Sequence, residues 1–340
     1  MIKKRNLDPS LVNWINSLGL GLIVGYILHL VPESSSTSQY REWLNGQGVK
    51  EAKMFTDIKS AYAKMEAYRG DTLLVYPGTY LSTESLAWAK ADTKIIGVGS
   101  PNQRYQPSTL GGGGIKLKCT TADVANILNI TGDYVSVYGI GTQNTADDDG
   151  NLTDILISAK NIHLKECSLR GGTGATQIAT AKCGVGLMVD NGTENVSNAG
   201  NGLLVERCTI GSSGNTVRTV GAGCMAFKCT TPGGGGFGMH FRDCTFSMYS
   251  VTSECYAIDA YDAFAFDRDL LFQNCWFYNY GETYCAYVFN AYNSHNTNIH
   301  LDKSSFFGFD KWATAGYDLW ASNGPANIGV GGKQVVVADS

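Results

Sequence analysis

The sequence predicts an all-β protein that forms one right-handed parallel β-helix, a solenoid whose coils stack along a single axis. A nine-residue strand motif recurs with starts at residues 161, 202, 238, 269 and 298, and short strands alternate with glycine- and asparagine-rich turns. Charged residues make up 16% of the 340 residues, against a typical share of about 25%. Repetition at such a period is typical of solenoids.

The recurring motif predicts which side chains face the core. Alternating strand positions point to opposite faces, and equivalent residues of successive coils stack about 4.8 Å apart. Two apolar columns and one column of small side chains should therefore point inward. They are Ile162/Leu203/Met239/Leu270/Ile299, Leu164/Val205/Phe241/Phe272/Leu301 and Cys167/Cys208/Cys244/Cys275/Ser304.

Three further columns of the motif should point outward. Two of them alternate in charge, which favours stacking in register: Lys165/Glu206/Arg242/Gln273/Asp302 and Glu166/Arg207/Asp243/Asn274/Lys303. The third is His163/Leu204/His240/Leu271/His300. Its histidines should lie about 10 Å apart, too far to share a metal ion. We interpret this column as a half-covered face, with a subunit interface as the alternative.

A weaker motif lies between the copies of the first. Its four members should form a second set of stacked strands, and Val137–Gly141 similarly echoes Ile95–Gly99 upstream. The members are Leu187–Val189, Cys224–Ala226, Ala257–Asp259 and Tyr287–Phe289. Two alternating strand motifs of nearly equal period are what successive coils of one solenoid give.

The first 70 residues predict an arm and a cap. Residues 1–50 are assigned to an N-terminal attachment arm, with a helix from Asp8 to about Ser17 and a loop at 32–39. The apolar run 18–31 is shorter than the roughly 20 residues that a membrane-spanning helix needs, so we expect a buried strand and no membrane span. A helix over 56–69, capped by Thr56, should cover the open end of a β-helix spanning 51–325, and residues 326–340 should form a C-terminal strand or cap.

Composition excludes several classes of protein. The net charge of −4 gives no basic excess, so we expect no nucleic-acid partner. The ten cysteines lack C-x-x-C spacing, which leaves a zinc site unsupported and favours reduced, buried thiols in a protein made in a cytoplasm. We expect no cofactor.

Two acidic clusters are the candidates for chemistry. The catalytic candidates, if the protein is an enzyme, are Glu254, Asp259, Asp262 and Asp267, because glycoside hydrolysis needs two carboxylates about 5–10 Å apart and aromatic residues interleave here. The other reading is a polar rim with stacked rings. The run Asp147-Asp148-Asp149 fits either a turn, which we favour, or a loose Ca²⁺ site.

Aromatic residues crowd the last third of the chain. They exceed what an isolated coil can bury, which indicates a partner subunit, a glycan surface, or both. They are Trp276, Phe277, Tyr278, Tyr280, Tyr284, Tyr287, Tyr292, Phe306, Phe307, Phe309, Trp312, Tyr317 and Trp320.

The segment 56–80, with its Gly70-Asp-Thr-Leu-Leu-Val-Tyr-Pro-Gly-Thr-Tyr80, resembles the N-terminal coil of pectate-lyase-like β-helices, and Ile95–Gly99 resembles their next turn. The similarity covers roughly residues 55–310 and implies the fold. The family's catalytic motifs do not carry over. Arg104-Tyr-Gln-Pro107 is misspaced for the Arg-x-Pro-x-x-Arg element of pectate lyases, and Asn144-Thr-Ala146 departs from the Asn-Thr-Asp of polygalacturonases.

A second resemblance points to a virus. Residues 4–15 resemble the openings of virion proteins of tailed phages, and residues 85–102 resemble β-helical phage structural proteins. This implies a capsid decoration protein, head fibre or tailspike on the virion surface, often a homotrimer, bound to other virion proteins through its arm. The expected attachment residues are Leu7, Asp8, Leu11, Trp14 and Ile15.

The sequence thus favours a non-catalytic structural protein of the virion surface. A tailspike or depolymerase that cleaves polysaccharide through the carboxylates of 254–269 is the second hypothesis. The third is a module that binds a host-surface glycan through the aromatic third.

Overall fold

A computed structural model of the chain describes residues 25–32, 37–98, 114–179, 184–190, 199–211, 218–229, 237–250, 252–261, 270–281, 285–290, 298–313, 318–322 and 334–336. They form three helices, α1 (Thr37–Gly46), α2 (Ile58–Ala63) and α3 (Ala175–Ile178), and a 3₁₀ turn at Glu51–Lys53. The strands are β1 (Ile27–Leu30), β2 (Met54–Phe55), β3 (Thr72–Val75), β4 (Gly78–Ser82), β5 (Leu86–Trp88), β6 (Lys94–Gly97), β7 (Ile115–Cys119), β8 (Asn126–Ile130), β9 (Ser136–Tyr138), β10 (Gly141–Asn144), β11 (Thr153–Ile157), β12 (His163–Lys165), β13 (Ser168–Gly172), β14 (Val185–Asp190), β15 (Leu204–Glu206), β16 (Thr209–Ile210), β17 (Gly221–Lys228), β18 (Met239–Arg242), β19 (Thr245–Met248), β20 (Cys255–Ala260), β21 (Leu270–Gln273), β22 (Trp276–Asn279), β23 (Cys285–Asn290), β24 (Asn298–Asp302), β25 (Ser305–Phe307), β26 (Phe309–Ala313), β27 (Asp318–Ser322) and β28 (Gln334–Val336).

The strands form a right-handed parallel β-helix, which confirms the predicted fold class. From β3 onward each coil adds one strand to each of three sheets. Sheet A has the order β2-β1-β3-β6-β9-β12-β15-β18-β21-β24-β27-β28, sheet B runs from β4 to β25, and sheet C runs from β5 to β26. Among the described strands every pairing is parallel except that of β27 with β28, which adds an antiparallel strand to sheet A within the predicted C-terminal segment 326–340.

Sheet A follows the predicted register residue by residue. His163 pairs with Leu204, Leu204 with His240, and the other columns of the motif follow the same steps to β24. Apolar side chains fill the interior, and Phe241 stacks on Phe272 with ring centroids 4.8 Å apart. The inward columns are therefore confirmed.

For the second motif, which lies in sheet C, the predicted pairing between coils is wrong by one residue at two steps. Leu187 pairs with Met225, where the sequence alignment had predicted Cys224, and Ile258 pairs with Phe289. Strand β17 also carries a bulge, between Ala222 and Met225, in its pairing with β20. At the second step, apolar residues occupy both faces of β23, so the hydrophobic pattern does not fix the register.

A left-handed residue turns the chain from sheet A to sheet B in each repeat. The predicted column Glu166/Arg207/Asp243/Asn274/Lys303 occupies these corners, with φ between 50° and 55°, and so does not lie in a strand as expected. The next residue is the cysteine or serine of the small column. Cys167 N–H donates to Cys208 Sγ (3.3 Å), and Cys244 Sγ donates to Val205 O (3.3 Å). The thiols thus satisfy backbone groups that the corner removes from the ladder.

The cysteines are reduced in the described part of the chain. Nine of them are free and buried, as predicted. Burial raises the pKa of the Cys208 thiol well above its usual range, so this side chain stays uncharged.

The capping helix is shorter than predicted. Asp57, and not Thr56, caps α2, since its carboxylate accepts from the N–H groups of Lys59 (3.0 Å) and Ser60 (2.8 Å). The helix ends at Ala63. Lys90 Nζ donates to the carbonyl oxygens of Tyr62 and Met65, which in a longer helix would accept from backbone N–H groups. Ala61 and Met65 pack on the end of the core.

The outer face of the first coils of sheet A is covered by a second layer. Strand β1 lies inside this sheet, so the residues from Ile27 onward belong to the β-helix although the sequence assigned 1–50 to the arm. Helix α1 was not predicted, and its Leu44 and Tyr40 pack over the sheet. The buried residues of this layer, the covered cluster, are Ile27, Val31, Leu44, Met54, Leu74, Tyr76, Ile96 and Tyr138.

Candidate functional surfaces

Of the four predicted catalytic carboxylates, Asp259 lies in sheet C and is buried. Asp259 sits on β20 between Ala226 and Asn290, and Asn290 Nδ2 donates to its Oδ1 at 2.8 Å. Glu254 is exposed just before this strand. Asp262 and Asp267 lie outside the described residues. The structure therefore places two of the four candidates.

A tyrosine lies between the two described carboxylates along the chain. Tyr256 follows Glu254 and shares its strand with Asp259, and it pairs with Tyr287 of the next coil. Burial, then the negative charges of Asp259 and Glu254, raise the pKa of Tyr256, so its hydroxyl remains protonated. The group offers a neutral hydroxyl, an amide and two carboxylates, which suits hydrogen bonding to a sugar.

The acidic run at 147–149 behaves as a turn in the structure. Asp147 Oδ1 accepts from the N–H of Thr176 at 2.6 Å, and Asp148 accepts from the N–H groups of Gly150 (2.9 Å) and Asp123. These bonds lower the pKa of both carboxyl groups. Across the described ranges, no three His, Cys, Asp or Glu side chains gather as metal ligands.

The attachment residues Leu7, Asp8, Leu11, Trp14 and Ile15 lie outside the described residues, as does the predicted helix 8–17. Within the described ranges, no helix combines the length and apolar character needed to cross a membrane.

Side chains of the outward charge column of sheet A pair across neighbouring coils. Glu206, with a side chain 5% exposed, lies 2.7 Å from His163 Nε2 and also contacts the Arg242 guanidinium. Gln273 Nε2 donates to Asp302 at 2.9 Å further along. In the corner column, Arg207 Nε donates to Glu166 Oε1 at 2.9 Å and Asn274 Nδ2 to Asp243 at 2.6 Å. The predicted complementary ladders are thus confirmed at two steps of each column. Lys165 and Glu206 are more buried than an outward column implied.

The aromatic third divides into core residues and surface residues. Phe277, Phe289 and Trp312 are buried, and Phe277 packs edge-to-face against the other two rings. A second set, which we call the aromatic strip, lies on the outer face of sheet B and consists of Trp276, Tyr278, Tyr280 and Phe307.

The aromatic strip presents rings in ordered planes. Trp276 and Tyr278 have centroids 5.9 Å apart and planes 3° apart, and Tyr278 and Tyr280 have centroids 5.6 Å apart and planes 21° apart. Trp276 is 45% exposed, Tyr280 51% and Phe307 61%. Large exposed rings in one patch are typical of binding surfaces. The sequence analysis names all four among the aromatic residues of the last third. The pairing between coils shows that they lie on the surface and not in the core.

Comparisons with known proteins give limited similarity. No family model matches the chain, and no curated protein matches it. Among solved structures, the Escherichia coli protein YbhC is similar over 84% of this chain and 72% of its own, at 13% identity and a TM-score of 0.46. The Geobacillus virus E2 protein ORF18 is similar over 93% and 64%, at 13% identity and 0.39, and a rhamnogalacturonan lyase over 83% and 74%, at 12% identity and 0.37. At these values the similarities carry no information on activity.

Proposed function

We propose that this chain is a structural protein on the surface of a tailed-phage particle, as a capsid decoration, head fibre or tail-associated component, and that it acts without catalysis. The resemblance of residues 4–15 and 85–102 to phage structural proteins supports the proposal. The structural observation that carries it is the unbroken β-helix. Such a body suits a protein that projects from a particle.

The β-helix is built as a rigid rod. Sheet A pairs continuously from β3 to β27, which at about 4.8 Å per coil gives a length of about 40 Å. One apolar cluster runs through the coils, with α2 at one end and β28 beyond the last coil of sheet A. Each coil is held by its neighbours, so a binding surface at any coil keeps a fixed geometry.

Attachment through the N-terminal segment is part of the proposal. We assign contact with other virion proteins to Leu7, Asp8, Leu11, Trp14 and Ile15. Particles carrying Trp14→Asp should lose the protein, while the purified variant should melt at the parent temperature, because the residue precedes β1. Normal incorporation of Trp14→Asp would contradict this assignment.

We further propose a homotrimer, and light scattering after gel filtration should give three times the chain mass of 36.5 kDa.

Immunogold electron microscopy of particles purified from the source tests the proposal. Gold spread over the head would identify a decoration protein or head fibre, and gold at the tail a tail-associated component. Particles without label, from a preparation in which a known capsid protein is labelled, would contradict the proposal.

A second candidate function, glycan cleavage, is favoured by the grouping of Glu254, Tyr256 and Asp259. If the purified protein cleaves a polysaccharide, Asp259→Asn and Glu254→Gln should each abolish turnover, with Asp302→Asn as the control. Unchanged turnover in both would clear these carboxylates of a catalytic role.

A further inference from the structure

Four cysteines lie one above another in successive coils, at the corner where the chain turns from sheet A to sheet B. Strand pairing on both sides of the corner fixes their register, since Lys165 pairs with Glu206 in sheet A and Ser168 with Thr209 in sheet B. The next two steps are fixed in the same way. Each cysteine is therefore about 4.8 Å, one coil spacing, from the next. We call this set the thiol column, and it consists of Cys167, Cys208, Cys244 and Cys275.

The thiols interact with one another along the column. The side chain of Cys208 hydrogen-bonds with those of Cys167 and Cys244, and the side chain of Cys275 hydrogen-bonds with that of Cys244. All four residues are buried, with at most 2% of their surface exposed. They belong to the apolar cluster that runs through the coils. The column is thus a row of sulfur atoms inside the core.

The last copy of the motif shows that a hydroxyl satisfies the backbone at this position. Ser304 Oγ accepts from the N–H of Cys275 at 3.1 Å and donates to the carbonyl of Phe272 at 3.0 Å. In an earlier coil, Cys208 Sγ accepts in the same way from the N–H of Cys167 at 3.3 Å. The corner itself therefore does not require sulfur.

Sulfur atoms in such a row suit a metal ion that takes two ligands. A metal–sulfur bond is about 2.3 Å long, so an ion midway between two sulfurs needs them about 4.6 Å apart, which is close to the coil spacing. Thiolate ligands select soft cations such as Cu(I), and Cu(I) and Ag(I) accept two sulfurs in a line. Zinc instead takes a tetrahedron of ligands, and the described residues bring no such set together.

The apolar surroundings select the charge of the ion. A net charge is strongly disfavoured in an apolar core, so the complex has to be neutral. A monovalent cation that enters between two thiols can displace one proton. One S–H bond breaks, two metal–sulfur bonds form, and the proton leaves to solvent. The ion is then held by one thiolate and one thiol, and the pair carries no net charge.

We propose that the thiol column binds soft monovalent cations of the Cu(I) class, with one ion between Cys167 and Cys208 and a second between Cys244 and Cys275. Each thiol serves one ion, and each ion links two coils. This site goes beyond the proposed structural function and does not depend on association with a particle. It lies in the interior, whereas the aromatic strip lies on the outer face of sheet B.

Silver(I) is the probe that tests the proposal, added to the reduced full chain in a buffer without chloride. Native mass spectrometry counts the ions that the protein retains against excess glutathione. A single thiol should lose its ion to glutathione, while two thiols held in place by the fold should keep theirs, because the fold has already ordered the ligands. The parent should therefore retain silver.

A pair of variants tests the pairing of thiols directly. Cys244→Ser leaves Cys275 without a neighbouring thiol, so this variant should retain one ion fewer than the parent. Adding Ser304→Cys to Cys244→Ser gives Cys275 a new thiol neighbour in the next coil, because Ser304 already contacts Cys275. The double variant should recover the parent's count.

Two further variants keep the test specific. Cys119→Ser removes a buried thiol outside the column, whose Sγ donates to the carbonyl of Thr121 at 3.5 Å, and should retain as many ions as the parent. Cys208→Ser isolates Cys167 and should lose one ion, which gives an independent measurement if Cys244→Ser does not fold. Melting temperatures without silver verify folding.

Four results would overturn the proposal. They are a parent that retains no silver against glutathione, a folded Cys244→Ser or Cys208→Ser protein that retains as many ions as the parent, a count that Ser304→Cys does not restore, and a loss in Cys119→Ser equal to that in Cys244→Ser.

Discussion

Along one column of residues, the outer face of sheet A is covered by a helix at one end and carries paired polar side chains at the other. In the first coils the column reads His29, Leu74, Ile96 and Tyr138, and helix α1 covers it. From Lys165 onward the same column carries charged and polar side chains that pair with one another, listed in register as Lys165/Glu206/Arg242/Gln273/Asp302.

The difference shows that one β-helix can protect a sheet face by packing or by pairing. In the covered half His29 is uncharged, because burial and then Lys53 lower the pKa of His29 to about 4. In the paired half Glu206 contacts His163 and Arg242, and Gln273 donates to Asp302. The stability of the covered half, which carries His29, Leu74, Ile96 and Tyr138, should depend on buried apolar volume. The stability of the paired half, from Lys165 to Asp302, should depend on the order of its charges and on salt.

The largest effect is expected from reversing a charge in the paired half. Glu206→Lys removes the partner of His163 and Arg242 and places a cation beside Lys165, so the free energy of unfolding should fall by about 3–5 kcal/mol. Urea unfolding at low salt measures this. Glu206→Gln keeps the shape and should lose less. A Glu206→Lys protein that melts no lower than the parent would disprove the ladder at this position.

A truncation in the covered half should cost somewhat less. Leu74→Ala removes a fully buried side chain beneath α1 and should lower the free energy of unfolding by about 2–5 kcal/mol, with little dependence on salt. Gln273→Ala, in the same column of the paired half, is the control and should change stability by about 1 kcal/mol or less. Similar losses in the two variants would remove the distinction between the halves.

Asp154 extends the comparison to a buried carboxyl group that has no charged partner in hydrogen-bond contact among the described residues. Its Oδ2 accepts from Thr142 (2.7 Å) and the N–H of Gly171 (2.8 Å), while Oδ1 has no partner among the described residues. Burial raises the pKa of Asp154 to about 7. The folded protein therefore holds a proton that the unfolded chain releases, and this group's contribution to stability falls as pH rises from about 4 to about 7.

Asp154→Asn should thus melt near the parent at pH 4 and above it at pH 8, with the gain reached by about pH 7. Thermal melts across this range measure the difference. Asp147→Asn is the control of opposite sign, since hydrogen bonds from Thr176 lower the pKa of Asp147, and it should be less stable than the parent at pH 8. A constant difference between Asp154→Asn and the parent at all pH values would contradict the assignment.

The smallest effect is expected at the corner column. Arg207→Gln breaks an ion pair with Glu166 in which the arginine side chain is 39% exposed, so the loss should be below about 1 kcal/mol and should vanish at high salt. Tyr138 donates to Glu166 at 2.7 Å, and we expect this bond to remain in the variant. A loss that persists at high salt would assign the contact to packing instead of charge.

The sequence predicted sheet A well because its motif carries two independent signals, an apolar alternation and a complementary charge order. Sheet C lacks the second signal, and apolar residues on both faces of β23 left its register ambiguous. Helix α1 escaped prediction because its sequence is largely polar, and its two packing residues, Tyr40 and Leu44, have a partner face formed by strands from distant parts of the chain.

The candidate surfaces were predictable in part for a related reason. The aromatic residues of the last third stand out by composition, but the strip at Trp276 is separated from the core rings by pairing between coils.

The measurement that bears most directly on the proposed function is the copy number of this chain per particle, obtained by quantitative mass spectrometry of particles purified from the source. The proposal predicts a fixed copy number that survives repeated gradient purification, high for a head protein and low for a tail protein. A chain that falls below detection after purification, while the capsid proteins remain, would contradict it.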